Sequence, residues 1–362
     1  MKEQLLFAAS ARFEAARQLT SLPASHRCRQ PHGHSFLARI RTALPKGWAR
    51  FPGNELNQLR ESLAAAVATL DYSDLNRRID YPSDENLARW IKNRAGIDAM
   101  AHIGIQSTHN QGVDLSDDGH VQVWRRYVIE SAHQLPNVPA GHKCGRMHGH
   151  SFTIILHAGQ FANMADAMLG YDRLDRAWAP VMAELNFTCL NDVPGLENPT
   201  SENIASWIWR RLEPGMPELA WVTVYETASC SAHFNGAQYR IWKEMSFDSA
   251  VQFKRAPRDD ARRRIHGHTY TTRLHLCAPL DEVMGWTVDY GDVKELFTPI
   301  FKQLDHQPLH EIVGTADTDT ASLARFIRDQ AAPVIPQLDR IDLYEGNGSG
   351  VILAWGAHAV SL

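Results

Sequence analysis

Five cysteines in 362 residues (Cys28, Cys144, Cys189, Cys230 and Cys277) are odd in number and scattered. They do not read as a disulfide framework, and a reducing cytoplasm is the expected location. No apolar run is long enough to span a bilayer. The opening Met1-Lys2-Glu3-Gln4 carries an early acidic residue, and Arg12 and Glu14 break the apolar stretch behind it, which makes a poor secretory leader. Neither sign of charge dominates. The 37 Lys and Arg against 41 Asp and Glu leave a net charge of −4, without a general pull toward nucleic acid or an anionic membrane. No nucleic-acid motif is present either. What the chain has in abundance is histidine, 18 residues of it.

The histidines are placed periodically. His-Gly-His occurs as His32-Gly33-His34, His148-Gly149-His150 and His266-Gly267-His268, spaced by 116 and 118 residues. Each is followed by a hydroxyl residue and an aromatic: Ser35-Phe36, Ser151-Phe152 and Thr269-Tyr270. Fifteen residues before each first histidine stand Arg17, His133 and Val251, in related segments. Downstream recur Leu70-Asp71, Leu185-Asn186 and Leu304-Asp305. Then come Ser83-Asp84-Glu85-Asn86, Ser201-Glu202-Asn203 and Thr318-Asp319-Thr320-Ala321-Ser322, and last Gln106, Glu226 and Glu345. Such self-similarity marks a repeat architecture. The chain reads as three diverged copies: 1–119, 120–243 and 244–362. Within a copy the pattern is strand, strand, helix, helix, strand, strand, an α+β unit with an antiparallel sheet.

The copies differ where chemistry is at stake. In copy two, His148 and His150 alternate on one strand face, and His133 on the preceding strand is placed to join them. Three imidazoles with an open fourth position form a catalytic zinc pattern. Arg17 cannot give up its proton to ligate, and Val251 has no donor atom, so one zinc per chain is expected, in copy two. Cys144, flanked by Lys143 and Arg146 and expected near the zinc ion, is expected to have a lowered thiol pKa and to act as a base. Copy two carries Asn186-Phe187 where copy three carries Asp305-His306, a carboxylate–imidazole pair suited to proton relay. No copy is complete alone, and the losses are complementary. The basic stretch from Lys254 to Arg264 reads chiefly as a solvated run, with attraction of a polyphosphate as the sharper alternative.

Copy two resembles bacterial 6-carboxytetrahydropterin synthase and the related 6-pyruvoyltetrahydropterin synthase. The resemblance is carried by Ser131-Ala132-His133, the run from Gly141 through Cys144 to His150, the run from Leu190 to Asn203, and Tyr225-Glu226-Thr227. Copy three matches through Gly285-Trp286-Thr287-Val288-Asp289-Tyr290 and Leu304-Asp305-His306, and copy one more weakly. The resemblance implies three tandem tunnelling-fold modules, each a four-stranded antiparallel sheet with two helices, together forming a pseudo-trimeric barrel. Two chains stacking as a homodimer would then give a pseudo-hexamer.

It further implies a zinc-dependent lyase of the queuosine pathway. The expected reaction converts 7,8-dihydroneopterin triphosphate to 6-carboxytetrahydropterin, with loss of acetaldehyde and triphosphate, at one composite site between modules 2 and 3. The metal would sit on His133, His148 and His150. Cys144, Asp305 and His306 would be catalytic. Glu226 would anchor the pterin with Thr200 and Ser201, and Glu345 is the rival anchor. Gln106, lacking charge, argues against pterin binding in copy one. The alternatives are a 6-pyruvoyl-type triphosphate elimination and a non-catalytic pterin-binding or assembly protein.

Overall fold

The computed structural model describes residues 3–97, 101–159, 167–312, 318–346 and 348–356. Its long elements fall into three like sets. Module 1 contributes β1 (Gln4–Arg17), β2 (His32–Thr42), α1 (Glu55–Ala68), α2 (Asp84–Arg94), β3 (Ala101–Thr108) and β4 (Gln111–Leu115). Module 2 contributes β5 (Val121–His133), β6 (His148–Gly159), α3 (Ala167–Leu185), α4 (Ser201–Leu212), β7 (Leu219–Thr227) and β8 (Cys230–Phe234). Module 3 contributes β9 (Tyr239–Val251), β10 (His266–Cys277), α5 (Tyr290–Leu304), α6 (Thr320–Ala331), β11 (Leu338–Glu345) and β12 (Gly350–Ala354). The expected element order holds in every module. Among the described residues no helix is long and apolar enough to cross a membrane.

The chain packs as two compact units. One comprises Met1–Val121, Met245–Arg273 and Phe297–Leu362, the other Gln122–Glu244 and Leu274–Leu296. In the first unit, β1 pairs antiparallel with β2, β2 with β3, and β3 with β4. Strand β12 pairs with β11 and also with β1, so module 3's sheet runs on into module 1's. In the second unit, β5 through β8 pair in sequence order, and β8 continues onto the start of β9. The expectation of a four-stranded antiparallel sheet for each module is thus corrected in detail. The strand count and order stand, but the sheets continue across module joins, which satisfies edge N–H and C=O groups that a lone sheet would expose.

Period-two burial sets the faces. Along β5, Ile129, Ser131 and His133 are buried while Glu130 between them is exposed. Along β6, His148 and His150 share a face with Phe152 and Ile154. Helix α4 covers this core with Ile204, Ala205, Trp207 and Ile208. His133 and His148 stand directly opposite each other in the β5–β6 ladder, and Ser131 faces His150. The hairpin-like return read from sequence therefore does carry the third histidine to the other two. Gly149 fits closely at this crossing, where a Cβ would lie 3.1 Å from the Ser131 carbonyl oxygen.

Candidate active site

In the second unit, one ligand atom from each of His133, His148, His150 and Glu226 lies within 4.8 Å of all the others. No other group of three or more His, Cys, Asp or Glu side chains converges this way among the described residues. Backbone carbonyls fix the tautomers, because a carbonyl can only accept. His133 Nδ1 faces the Pro199 carbonyl at 2.9 Å, and His148 Nδ1 faces that of Arg146 at 2.7 Å. Each ring therefore donates through Nδ1–H, and a neutral ring so placed presents a bare Nε2. These two Nε2 atoms are 3.1 Å apart. Two lone pairs at that distance need a cation between or beside them. Burial, the leading cause, pulls the His133 pKa down and holds the ring neutral. The donor set thus fits a divalent metal better than a shared proton.

Glu226 sits at the end of β7, with Oε1 3.3 Å from His150 Nε2 and Oε2 accepting from Ser201 Oγ at 3.0 Å. Burial works to raise its pKa, but His150, His133 and Ser201 together outweigh it, and the carboxylate stays ionised. The sequence marks Glu226 only as a pterin anchor, and the structure also brings it to the edge of the metal cluster.

The other modules show what replaced the metal set. In module 1, Arg17 takes the place of His133, 1% exposed. Its Nη1 donates to the Pro82 carbonyl at 3.0 Å and to Asp84 Oδ1 at 2.6 Å, both side chains fully buried. A guanidinium thus fills the role of the cation. The strand register also corrects one equivalence. The bulge at the end of β3 falls between Gln106 and Thr108, as that of β7 falls between Tyr225 and Thr227. Ser107, not Gln106, therefore matches Glu226. Ser107 Oγ donates to Asp84 Oδ2 at 2.7 Å, so hydroxyl and carboxylate have exchanged elements relative to Ser201 and Glu226. In module 3, Val251 is buried at the His133 position. Glu345 accepts from Thr320 Oγ1 at 2.6 Å, with His268 Nδ1 4.0 Å from its other oxygen.

Cys144 lies on a single 3-10 turn, Lys143–Gly145, whose cap is His142. The His142 Nδ1 accepts from the Cys144 N–H at 3.2 Å. In the metal-free protein its pKa is raised, not lowered. Burial comes first and pushes the thiol up, and the Glu226 and Asp289 carboxylates add to it, while Lys143 alone opposes. The reading from sequence counted Lys143, Arg146 and a nearby metal ion, and not the carboxylates that folding brings near.

Asp305 and His306 lie in the first unit. Asp305 Oδ2 is 3.0 Å from His306 Nδ1, and its Oδ1 accepts from the Asp248 N–H at 3.1 Å. The same clamp recurs with Asp71 on Glu14 and Asn186 on Glu130. The residue after each is left-handed, with φ of 50° at Tyr72, 56° at Phe187 and 56° at His306. A bulky side chain with positive φ is unusual and is held here by the clamp. The side-chain oxygen at this position thus clamps the backbone in all three copies, from Asp, Asn and Asp in turn, and what distinguishes module 3 is the imidazole, whose side chain is 77% exposed.

A segment of module 3 reaches the module 2 site within the second unit. Asn137 Nδ2 donates to the Val283 carbonyl at 2.6 Å and Asn198 Nδ2 to that of Met284 at 2.8 Å. Thr200 Oγ1 donates to the Gly285 carbonyl and also accepts from Asn203 N–H at 3.2 Å, so its hydroxyl is engaged as helix cap and loop clamp. Glu202 Oε1 accepts from Thr287 N–H at 2.8 Å and Oγ1 at 3.2 Å. Asp289 Oδ2 is 3.4 Å from His142 Nε2. Gly285 has φ 74°, and a Cβ there would lie 2.5 Å from Asn203 Nδ2. Sequence reasoning used Gly285–Tyr290 only as a mark of resemblance and missed its place here. The basic loop of module 3 is partly engaged within itself, Arg262 with Asp260 at 2.7 Å and Arg263 with the Lys254 and Ala256 carbonyls.

Glu202 is 2% exposed, and burial, the leading cause, raises its pKa to about 7. The folded protein holds this proton more tightly than the unfolded chain. Its contribution to stability is fully present below pH ~4.5 and is lost as pH rises through about 7, about 3 kcal/mol in all. Glu202→Gln is expected to gain on wild type between pH 5 and pH 8, measured as the difference in denaturation midpoints. A difference that stays flat with pH would refute the assignment.

A family model described as 6-pyruvoyl tetrahydropterin synthase matches residues 7–112, 122–237 and 240–354. A 6-carboxy-5,6,7,8-tetrahydropterin synthase of Synechocystis sp. is 34% identical over 119 residues, 31% of this chain and 91% of that protein. A dihydroneopterin monophosphate aldolase of Pyrococcus furiosus is 29% identical over 119 residues, 32% of this chain and 97% of that protein. The structure of Caenorhabditis elegans 6-pyruvoyl tetrahydropterin synthase covers 33% of this chain and 95% of its own at 16% identity, with a TM-score of 0.29, which carries no argument beyond the sequence match.

Proposed function

The chain belongs to the 6-pyruvoyl tetrahydropterin synthase family, and from that premise we propose that it is a zinc-dependent lyase of the 6-carboxytetrahydropterin synthase type, acting on 7,8-dihydroneopterin triphosphate. Acetaldehyde and triphosphate would leave. The observation that carries the metal half of this reading is the pair of bare imidazole nitrogens 3.1 Å apart, with His150 and Glu226 completing the cluster. The reaction class is supported by the relative from Synechocystis sp. and by the sequence from Gly141 to His150.

His133, His148 and His150 would hold one zinc per chain, which when bound supplies Lewis acidity at the substrate's side-chain hydroxyls. Glu226, ionised and steadied by Ser201, is suited to accept two hydrogen bonds from the amidine edge of a pterin. Cys144 would remove a side-chain proton as base. Its raised pKa in the metal-free protein means that a cation nearby is needed to favour the thiolate. Asp305 and His306 keep the proposed proton-return role, and Glu345, occupied by Thr320, is the weaker candidate anchor.

The test is metal content by elemental mass spectrometry on protein purified without added metal, with His133→Ala alongside, followed by product analysis. About one zinc per chain, lost in the variant, is expected, together with acetaldehyde release from 7,8-dihydroneopterin triphosphate. No metal even after zinc is supplied would overturn the enzymatic reading. Triphosphate release without acetaldehyde would overturn the carboxy reading in favour of the 6-pyruvoyl type.

A further inference from the structure

Tyr290 is the first residue of α5, and its phenolic oxygen is buried without a hydrogen-bond partner. A buried hydroxyl left unsatisfied costs about 1–3 kcal/mol, and folded proteins leave few of them. The segment carrying it is not loosely held. The carbonyls of Val283, Met284 and Gly285 all accept side-chain hydrogen bonds from module 2, Thr287 donates twice to Glu202, and Asp289 faces His142. Asp289 also caps α5 by accepting from the Asp292 N–H at 3.3 Å, so the backbone at Tyr290 is fixed from both sides. The unsatisfied hydroxyl is therefore held in a defined place.

That place is the Glu226 site. Ser201, which donates to Glu226 Oε2 at 3.0 Å, lies beside the Tyr290 phenol. Burial first, then the charges of Glu202 and Glu226 and the thiol of Cys230, raise the phenol's pKa well above its ordinary value. The group is thus an O–H donor at any working pH, and its neighbour, the Ser201 hydroxyl, is already turned to the Glu226 carboxylate.

We propose that Tyr290 is a specificity-determining residue that reads the ligand bound at Glu226, an inference that rests on the pterin reading of this site. When the Glu226 carboxylate accepts from N3–H and the 2-amino group of a pterin, the next polar atom along the same edge is the 4-oxo oxygen, an acceptor. The Tyr290 O–H donates to it. A pteridine with an amino group at C4 offers a donor there and cannot accept this bond. A module-3 residue would thereby set the ring selectivity of a site whose metal and carboxylate groups belong to module 2.

The experiment is fluorescence titration of the metal-loaded full chain with neopterin and with its 4-amino analogue, for wild type, Tyr290→Phe and Glu226→Gln. Tyr290→Phe removes only the hydroxyl. It is expected to weaken neopterin roughly tenfold and to leave the 4-amino analogue unchanged, so that discrimination between the two rings falls by the same factor. Its metal content should equal that of wild type, and its ligand-free melting temperature should be unchanged or higher, which a merely structural hydroxyl would not give. Neopterin binding that survives Tyr290→Phe overturns this inference alone, as does an equal loss for both rings. Failure of wild type to bind neopterin, or binding indifferent to Glu226→Gln, overturns the pterin reading and this inference with it.

Discussion

Arg17→Met is expected to destabilise the protein by about 3–5 kcal/mol, because it strips the partner from a fully buried carboxylate. Asp84 would keep the Ser107 hydroxyl but lose the guanidinium 2.6 Å away. Chemical denaturation of the full chain reads the loss. Arg17→His has a different expected result, a rise from about one metal ion per chain to about two. A histidine there finds the Pro82 carbonyl waiting, as His133 finds that of Pro199. His32 is already turned by the Gln30 carbonyl at 2.7 Å, as His148 is by that of Arg146. A folded Arg17→His protein that still holds one metal ion would show that module 1 lost more than residue 17. Ser107 in place of Glu226 would then be the second lesion.

Cys144→Ala is expected to lower kcat by roughly 10²–10⁴-fold, the range for removal of a positioned acid or base. Metal content should be unchanged, because the four clustered groups do not include this thiol. The assay is acetaldehyde release under saturating substrate. Activity within tenfold of wild type would remove Cys144 from the chemistry. Loss of metal together with activity would instead place its sulfur among the ligands. Either result bears on the raised thiol pKa of the metal-free protein, which only a nearby cation can bring back into a useful range.

The repeat, the module plan and the convergence of His133, His148 and His150 were legible in the sequence because each depends on a short-range period. A spacing of two puts His148 and His150 on one face of a strand, and a constant fifteen-residue offset puts residue 133 opposite residue 148. The same periods do not report what arrives from elsewhere in the chain. They gave Gln106 as the partner of Glu226 by likeness of side chain, whereas the ladder pairs place Ser107 there. They gave Cys144 its cationic neighbours and a metal, but not the Glu226 and Asp289 carboxylates. They read Asp305 as half of a relay and did not reveal that this position, like Asp71 and Asn186, also clamps a left-handed residue.

By itself, then, the sequence determined the family, the three tandem modules and the concentration of a full histidine set in the second, since these depend on residue identity and local spacing. The tertiary structure alone decided three other things. It turned two imidazoles so that bare nitrogens face each other, through the carbonyls of Pro199 and Arg146. It set a buried guanidinium paired to Asp84 where module 2 has the His133 imidazole. It brought Val283 to Tyr290 of module 3 over the Glu226 site. Each depends on burial and on hydrogen bonds between residues far apart in the chain, whose electrostatics are fixed by neighbours in space and not by neighbours in sequence.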